Sequence, residues 1–272
     1  MRLDHTQRRG VTDAEASPLG AAIADNDGRV LSMVAEAVRD RRLRLAYQPV
    51  VVAADPARIG FHEGLMRVLD RQGRVIPAKD FMGPVEAQET GREIDCAALA
   101  MGLDALGRHA HMKLSVNMSA RSIGYPRWMR ILRQGLAARP GVGQRLILEI
   151  TESSSMTVPE VVVAFMGELQ LEGISFALDG FGAGHSALRY FKDFSFDILK
   201  IDGQFTRGIA EDADNQVLMA AFLSIGRQFD MVCVAQSVET ESEAQWLRAL
   251  GMDCLQGYLF GPPAALPDWD KP

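Results

Sequence analysis

A single stretch organises the predicted fold: Ile174-Ser175-Phe176-Ala177-Leu178-Asp179-Gly180-Phe181-Gly182-Ala183-Gly184-His185. Its apolar first part suits a short strand that is buried on both faces. Asp179 ends this run, and the three glycines that follow let the backbone turn sharply and approach a ligand. An acid at the end of a buried strand, ahead of a glycine-rich loop, is how βα-barrel enzymes place catalytic groups. A buried strand followed by an ordinary turn produces the same pattern.

The composition indicates a soluble globular protein. The chain has 272 residues, of which 47% are hydrophobic and 24% are charged, so it can build a large packed core. Its net charge of -6 argues against binding to DNA or RNA, although one pocket can still be positive enough to hold a nucleotide.

The sequence predicts neither a disulfide framework nor a zinc site, because its three cysteines are odd in number and lack paired spacing. No apolar segment approaches the roughly 18 residues that cross a bilayer. The polar N-terminus has no apolar core behind it, so it does not read as a secretory signal. We therefore expect a cytoplasmic protein with no membrane span.

The first part of the chain predicts a lead-in followed by a helix. Residues 1–28 are polar and contain a turn signal at Asn26-Asp27-Gly28. Apolar residues from Val30 to Val38 then recur at helical spacing. We divide the chain into a flexible lead-in over residues 1–28 and one barrel domain over residues 29–272.

Strands and helices alternate along the rest of the chain. Strands are predicted at residues 43–52, 59–68, 112–118, 145–151, 174–179, 196–202, 231–236 and 252–256. Pro49 suggests an edge or irregular position in the first strand, and residues 76–82 are predicted as a loop. The last helix follows a capping box at Thr240–Glu243 and ends at Gly251. This alternation predicts an α/β fold of the (β/α)₈ barrel type.

Most of the predicted strands carry a polar side chain at or near the same end. These residues are Glu63, Asn117, Glu149, Asp179, Lys200, Gln236 and Gln256. In a barrel they would converge on one rim. Such a cluster is costly to bury unless a cation or an anionic substrate organises it.

Six short motifs follow one another between about residues 43 and 263. They are Tyr47-Gln48-Pro49-Val50, Glu63-Gly64-Leu65, Ser115-Val116-Asn117-Met118-Ser119, Leu148-Glu149-Ile150-Thr151-Glu152-Ser153, Leu199-Lys200-Ile201-Asp202 and Gln256-Gly257-Tyr258-Leu259-Phe260. In this order they resemble the motifs of the EAL domain, the bacterial cyclic di-GMP phosphodiesterase family. The resemblance implies a modified TIM barrel whose first strand is antiparallel to the others.

The resemblance also implies roles for individual residues. The first of two divalent cations would be held by Glu63, Asn117, Glu149 and Asp179, which are hard oxygen ligands that suit Mg²⁺, Mn²⁺ or Ca²⁺. Lys200 would orient or deprotonate the attacking water, and Glu152 would steady the glycine-rich loop. The residues that line the nucleotide groove would be Gln48, Leu65, Arg67, Glu239, Gln256 and Pro262.

Two departures from the family pattern bear on catalysis. Gly180 stands where the family has a second aspartate, and Gln236 stands where it has a glutamate. The second cation would thereby lose two negative charges and at least one ligand. His185 also replaces a usual tyrosine, whereas Gly64 in place of alanine is a mild change. With one cation missing, Lys200 is expected to be vestigial in catalysis and to act as a counter-ion to the carboxylates.

We therefore predict a catalytically degenerate EAL domain that binds cyclic di-GMP and regulates through a protein partner or a homodimer. One alternative is an active phosphodiesterase that releases linear pGpG, with water or Gln236 filling the gap in the metal shell. Another is a protein-interaction domain that ignores the nucleotide.

Overall fold

The computed structural model describes residues 18–184 and 191–265. Within these ranges the helices are α1 (Pro18–Arg39), α2 (Met82–Val85), α3 (Glu89–Arg108), α4 (Pro126–Ala138), α5 (Glu152–Ser155), α6 (Pro159–Gln170), α7 (Ala213–Gln228) and α8 (Glu241–Leu250). The strands are β1 (Leu43–Val52), β2 (Asp55–Leu69), β3 (Val75–Pro77), β4 (Leu114–Asn117), β5 (Leu146–Thr151), β6 (Ser175–Phe181), β7 (Ile198–Ile201), β8 (Val232–Ala235) and β9 (Cys254–Gln256).

The strands close into a barrel. Their order is β1-β9-β8-β7-β6-β5-β4-β2, and β2 pairs again with β1, while β3 extends β2 on the outside. The pairings of β1 with β2 and with β9 are antiparallel, and the pairings from β2 through β4 to β9 are parallel. The predicted (β/α)₈ barrel with an antiparallel first strand is therefore confirmed.

The barrel interior has an apolar layer beneath a polar one. The apolar layer is a separate core cluster made of Val50, Phe61, Ile147, Ala177, Ile198, Val234 and Cys254. Six of the seven lie two residues before a polar residue of the predicted rim, as Phe61 does before Glu63, and Val50 lies two residues after Gln48. Because side chains in a strand alternate between faces, both layers point inward. The larger apolar core lies between the barrel and its helices.

The structure corrects two local predictions. Residues 76–82 are not a plain loop, since β3 ends at Pro77 and a 3-10 turn over Ala78–Asp80 leads into α2. Pro49 does not lie on an edge strand, because the barrel is closed. It does lie just beyond the β9 pairing, which covers Val50–Val52, so its missing N–H removes no bond to β9.

Helix α1 begins earlier than predicted. It runs through Asn26-Asp27-Gly28, so those residues are helical and not a turn. Val34 and Ala37 are buried in the core, and this packing stabilises the helix against the weak local signal. Residues 1–17 lie outside the described residues, and the boundary of the lead-in remains a prediction. No helix in the described part of the chain is long and apolar enough to cross a membrane.

Candidate active site at the barrel mouth

The side chain of Lys200 lies at the centre of the predicted metal ligands. Its Nζ is 2.6 Å from Glu149 Oε2, 2.8 Å from Glu63 Oε2 and 3.6 Å from Asp179 Oδ1. Lys200 and Glu149 are fully buried. The strand register explains the convergence, because β2, β4, β5, β6 and β7 pair side by side and place Glu63, Glu149, Asp179 and Lys200 towards the same end of the barrel.

Amide side chains complete the shell around Glu63. Asn117 Nδ2 donates to Glu63 Oε1 at 2.9 Å, and Gln256 Nε2 donates to Glu63 Oε2 at 2.6 Å. Gln256 also donates to Gln48 Oε1 at 3.2 Å. Four predicted site residues on β1, β2, β4 and β9 are thus joined in one hydrogen-bonded cluster.

The charged groups at the barrel mouth shift one another's pKa values. Burial alone would lower the pKa of Lys200, but Glu149, Glu63 and Asp179 together raise it. Burial and the neighbouring Glu63 raise the pKa of Glu149 to about 8, against the effect of Lys200. Burial raises the pKa of Asp179 as well. For Glu63, burial is outweighed by Lys200 and by the amide donors, which lower its pKa. Lys200 is therefore held in its charged form, as a counter-ion is.

The ligands of the predicted first cation fit a hard divalent ion. They offer carboxylate and amide oxygens, and Glu149 Oε1 is buried with no hydrogen-bond partner among the described residues. In this arrangement Lys200 Nζ donates one hydrogen bond to Glu63 Oε2 and one to Glu149 Oε2. No group of three or more His, Cys, Asp or Glu within the described ranges is already arranged as a metal site. A cation bound to the oxygens that Lys200 contacts would displace its ammonium group.

The side of the mouth formed by β6 and β8 carries the two departures. Gln236 Nε2 donates to Asp179 Oδ1 at 2.7 Å, so an amide hydrogen faces the carboxylate. Gly180 has a φ of 68°, and no atom of a described residue lies within 4 Å of a Cβ built there. An aspartate would have room at Gly180 but would need a left-handed backbone, which Asp tolerates better than most residues.

Glu152 contacts the glycine-rich loop. Its Oε2 accepts a hydrogen bond from the backbone N–H of Gly182 at 3.1 Å. A Cβ on Gly184 would lie 3.4 Å from the same oxygen. Gly182 has a φ of 89°, so a glycine is needed for this turn. His185 lies outside the described residues.

A polar cavity of about 620 Å³ opens at the mouth. Five predicted residues line it: Gln48, Glu63, Leu65, Glu239 and Gln256. Arg67 and Pro262 do not line this cavity. Arg67 is half-buried on β2, where burial lowers its pKa against the influence of nearby Tyr258 and Glu63.

A second, mostly apolar cavity of about 260 Å³ adjoins the first. The two share Glu63 and Leu65 in their linings. The second cavity also reaches Asn117 and Asp179. The two cavities therefore meet beside the central carboxylates.

Six residues that line the polar cavity were not assigned to the site from the sequence: Asp202, Gly203, Arg207, Ser237, Gly257 and Tyr258. Ser237 directly follows Gln236, so the departure from the family pattern at Gln236 could have drawn attention to it. Arg207 lies beyond the Lys200 motif, and no local pattern marked it. Tyr258 lies within the motif Gln256-Gly257-Tyr258-Leu259-Phe260, which resembles the family motif but from which only Gln256 was assigned a role.

Comparison with known proteins identifies the family of these motifs. The EAL domain family model matches residues 32–263. The bifunctional diguanylate cyclase/cyclic di-GMP phosphodiesterase MucR of Pseudomonas aeruginosa is 32% identical over 251 residues, which cover 89% of this chain and 36% of MucR. The probable cyclic di-GMP phosphodiesterase PdeN of Escherichia coli is 28% identical over 243 residues, or 86% of this chain and 46% of PdeN. The chain thus spans about a third to a half of these relatives.

Solved structures share the barrel. The phosphodiesterase PaMucR in complex with cyclic di-GMP superposes with a TM-score of 0.75 at 30% identity, covering 87% of this chain and 97% of that one. The FimX EAL domain of Pseudomonas aeruginosa bound to cyclic di-GMP gives a TM-score of 0.78 at 22% identity, with 87% and 96% covered. The second likeness supports the fold alone.

Proposed function

The chain belongs to the EAL domain family, and on that premise we propose that it is a degenerate member that binds cyclic di-GMP with little or no hydrolysis. In this role it is a receptor or regulatory module that signals through a protein partner or a homodimer. One observation carries the proposal: Gln236 donates a hydrogen bond to Asp179 at the position where the family has a second acidic ligand.

That hydrogen bond bears directly on the metal content. A glutamate would add a negative charge beside Asp179, whereas the Gln236 amide satisfies one oxygen of Asp179 without a cation. Gly180 adds no ligand at all. We therefore propose that at most one divalent cation binds tightly, held by Glu63, Asn117, Glu149 and Asp179. When bound, such a cation neutralises charge on a phosphate ester.

Lys200 has no free lone pair in this arrangement. Its ammonium contacts Glu63 and Glu149, and the carboxylates around it raise its pKa. A general base has to give up its own proton near the operating pH before it can accept another. We propose that Lys200 balances the buried carboxylates and does not activate water.

Nucleotide binding makes different demands from hydrolysis. Binding requires complementarity to the ground state, and turnover requires tighter contact with the transition state. The two cavities that meet at Glu63 and Leu65 suit an elongated dinucleotide with one base towards each cavity and its two phosphodiester groups between them. Arg67 lies two residues beyond Leu65 on the same face of β2, and we propose that it adds a charge-assisted contact to a phosphate.

Calorimetry with cyclic di-GMP tests binding. We expect saturable heat from the wild type, and Arg67→Ala should weaken binding by roughly 1–3 kcal/mol. Arg58→Ala is the matched control, because Arg58 is exposed on the same strand near its other end. A wild type that gives neither heat nor a thermal shift at high ligand concentration would support the interaction-only alternative.

Product and metal measurements test degeneracy. Chromatography after incubation with Mg²⁺ or Mn²⁺ should show little or no linear pGpG. Crystals soaked in Mn²⁺ should give at most one strong anomalous peak. Two occupied peaks about 3.5–4 Å apart are the spacing of a working two-metal site. Such peaks with turnover would favour the active phosphodiesterase, whose support is the convergence of all four ligands of the first cation.

A further inference from the structure

A groove lies between α4 and α6 on the outside of the barrel. Its volume is about 910 Å³, which exceeds the 620 Å³ of the polar cavity at the mouth. The floor is mostly apolar and includes Ile123, Met129, Val161, Ala164 and Phe165. None of the residues assigned to the metal or nucleotide site lines it. The groove is therefore a surface feature separate from the candidate active site.

Aromatic contacts hold the floor of this groove in place. Trp128 of α4 and Phe165 of α6 are buried, and their ring centroids lie 5.7 Å apart. Phe165 also meets the ring of Phe176 on β6 edge-on at 5.9 Å. The two helices are thus fixed to each other and to the barrel wall. A preformed groove binds a ligand without the entropic cost of ordering its own walls.

The two walls of the groove carry opposite charges. Helix α4 contributes Arg130 and Arg133, and α6 contributes Glu160 and Glu168; all four are exposed. Arg133 Nη2 lies 3.9 Å from Glu168 Oε1, and both side chains are more than 60% exposed, so this ion pair contributes little. Arg130 and Glu160 make no hydrogen bond or ion pair with another residue in the described ranges. The charges on both walls are thus available to a ligand.

An apolar side chain of α6 rises from the floor between these charges. Val161 is 48% exposed, and Ala164, three residues further along the same helical face, is exposed as well. A single exposed valine is ordinary on a protein surface. Here the exposed valine continues an apolar floor that charged residues border on both sides. An exposed apolar patch with a polar rim is typical of an interaction site.

We infer that this groove docks an amphipathic helix of a protein partner. The apolar stripe of that helix would cover Val161 and Ala164. One flank of the stripe is acidic and faces the arginines of α4, and the other flank is basic and faces the glutamates of α6. Docking of an apolar helix face into a groove is a common mode of peptide recognition. The inference rests on the proposed role as a module that signals through a protein partner, and it names the surface and the chemistry of that partner.

Fluorescence anisotropy with a designed peptide tests the docking. The probe is a labelled helix of about 18 residues, or five turns, with leucine at i, i+3, i+4 and i+7 spacing. Glutamate lines one flank of its leucine stripe and lysine lines the other. We expect saturable binding to the wild type. Ala164→Arg should weaken it about tenfold or more, because the new side chain fills the groove at its centre. Ala137→Arg is the matched control, since Ala137 is exposed on α4 outside the groove and should leave binding unchanged.

Charge reversal supplies a second readout. Arg130→Glu together with Arg133→Glu should weaken the probe about tenfold, because like charges then face its acidic flank. Adding Glu160→Lys and Glu168→Lys should restore binding. A helix that is turned end for end in the groove presents each flank to the opposite wall, so exchanging the charges of both walls is compensated. All four positions are exposed, and the melting temperature of each variant should stay near that of the wild type.

Three results would overturn the inference. They are no saturable binding of the peptide to the wild type, equal binding to the wild type and Ala164→Arg, and a failure of the fourfold reversal to restore affinity. If sedimentation shows a wild-type dimer that Ala164→Arg dissociates, and the peptide does not bind, the groove belongs to a second copy of the chain.

Calorimetry with cyclic di-GMP separates this inference from the proposed nucleotide binding. Nucleotide binding without peptide binding would overturn the docking groove and leave the proposed receptor standing. Peptide binding without nucleotide binding would keep the groove and support the alternative of a protein-interaction domain.

Discussion

The two sides of the barrel mouth satisfy their carboxylates in different ways. On the side of β2, β4 and β5, Glu63 and Glu149 share the buried ammonium of Lys200. On the side of β6 and β8, Asp179 accepts a hydrogen bond from the neutral amide of Gln236 and lies farther from Lys200, at 3.6 Å. The carboxylates on the first side are paired with a charged ammonium group. The carboxylate on the second side is hydrogen-bonded to a neutral amide, at a position where the family has a glutamate.

Under the proposed function, this difference explains how a metal site loses acidic ligands without unfolding the barrel. Removing one partner of a buried charge pair leaves an unpaired charge, which is strongly destabilising. A change from glutamate to glutamine beside an aspartate removes repulsion and adds a donor. The side with the amide could therefore lose its acidic ligands at little cost, while the side with Lys200 has to keep its charges together.

The largest expected effect comes from rebuilding the altered side. Gly180→Asp together with Gln236→Glu should convert cyclic di-GMP to its linear form in a metal-dependent way. We expect a rate roughly 100-fold or more above the wild type, the scale of one electrostatic stabiliser. Each single change should restore little, because the two residues act as a unit.

Gly73→Asp controls for backbone strain in this experiment. Gly73 has a φ of 80°, and its added Cβ would meet no atom of a described residue within 4 Å. A double variant that binds two metals yet hydrolyses nothing would show that the cause of inactivity lies elsewhere, with His185 as the next candidate. Wild-type turnover equal to that of the double variant would show that the chain is an enzyme.

A large loss of stability is expected on the charge-paired side. Lys200→Met should lower the free energy of unfolding by roughly 3–5 kcal/mol, because it leaves buried carboxylates without a cation. Urea denaturation measures this loss. Lys113→Met, at an exposed lysine just before β4, should change stability by less than about 0.5 kcal/mol. Equal effects of the two substitutions would mean that Lys200 is not the counter-ion.

The pH dependence of stability tests the protonation of the same charged cluster. The pKa of Glu149 is raised from 4.5 to about 8, so between these values the folded state holds a proton that the unfolded state releases. Stability should therefore fall as the pH rises from about 5 to about 8, by at most about 1.4 kcal/mol per pH unit.

Denaturation of Glu149→Gln across the same pH range measures the contribution of this carboxyl. The variant should show a flatter profile, because its amide does not titrate. A profile as steep as that of the wild type would assign the dependence to another group, with Asp179 as the next candidate because its pKa is also raised.

The smallest expected effect concerns the contact between Gly203 and Ser237. Gly203→Ala should cost roughly 1–2 kcal/mol of stability, since the new methyl group overlaps Ser237. Adding Ser237→Gly should recover most of that loss. Gly167→Ala in α6 is the control, because no atom of a described residue lies within 4 Å of its added Cβ and alanine favours a helix. Failure of the rescue would show that Ser237 is not what Gly203 accommodates.

Much of the barrel was predictable because its signals are local. The run before Asp179 is apolar because both faces of a barrel strand are covered. Alternation along β2 and β7 predicts that Glu63 and Lys200 face inward two residues beyond Phe61 and Ile198. The capping box at Thr240 is confirmed, as is Gly251 with a φ of 88°, since both depend on neighbouring residues alone.

Other features depended on contacts between distant parts of the chain. Helix α1 extends through Gly28 because it packs against the core, which no local pattern shows. Pro49 is tolerated inside a closed barrel because of where the pairing between β1 and β9 ends, and strand order is not a local signal either. The antiparallel first strand was predicted through the family resemblance and not through periodicity.

The amino-acid sequence by itself determined the eight strands of the barrel, which of their residues face its interior, and that Gly180 and Gln236 stand where the family has acidic residues. Only the tertiary structure decided what those residues do next to one another. Gln236 donates to Asp179, Lys200 is shared by two carboxylates, and Gly203 leaves space for the side chain of Ser237. The physical reason is that hydrogen bonds and steric overlap act over a few ångströms in space, between residues that lie on different strands and loops.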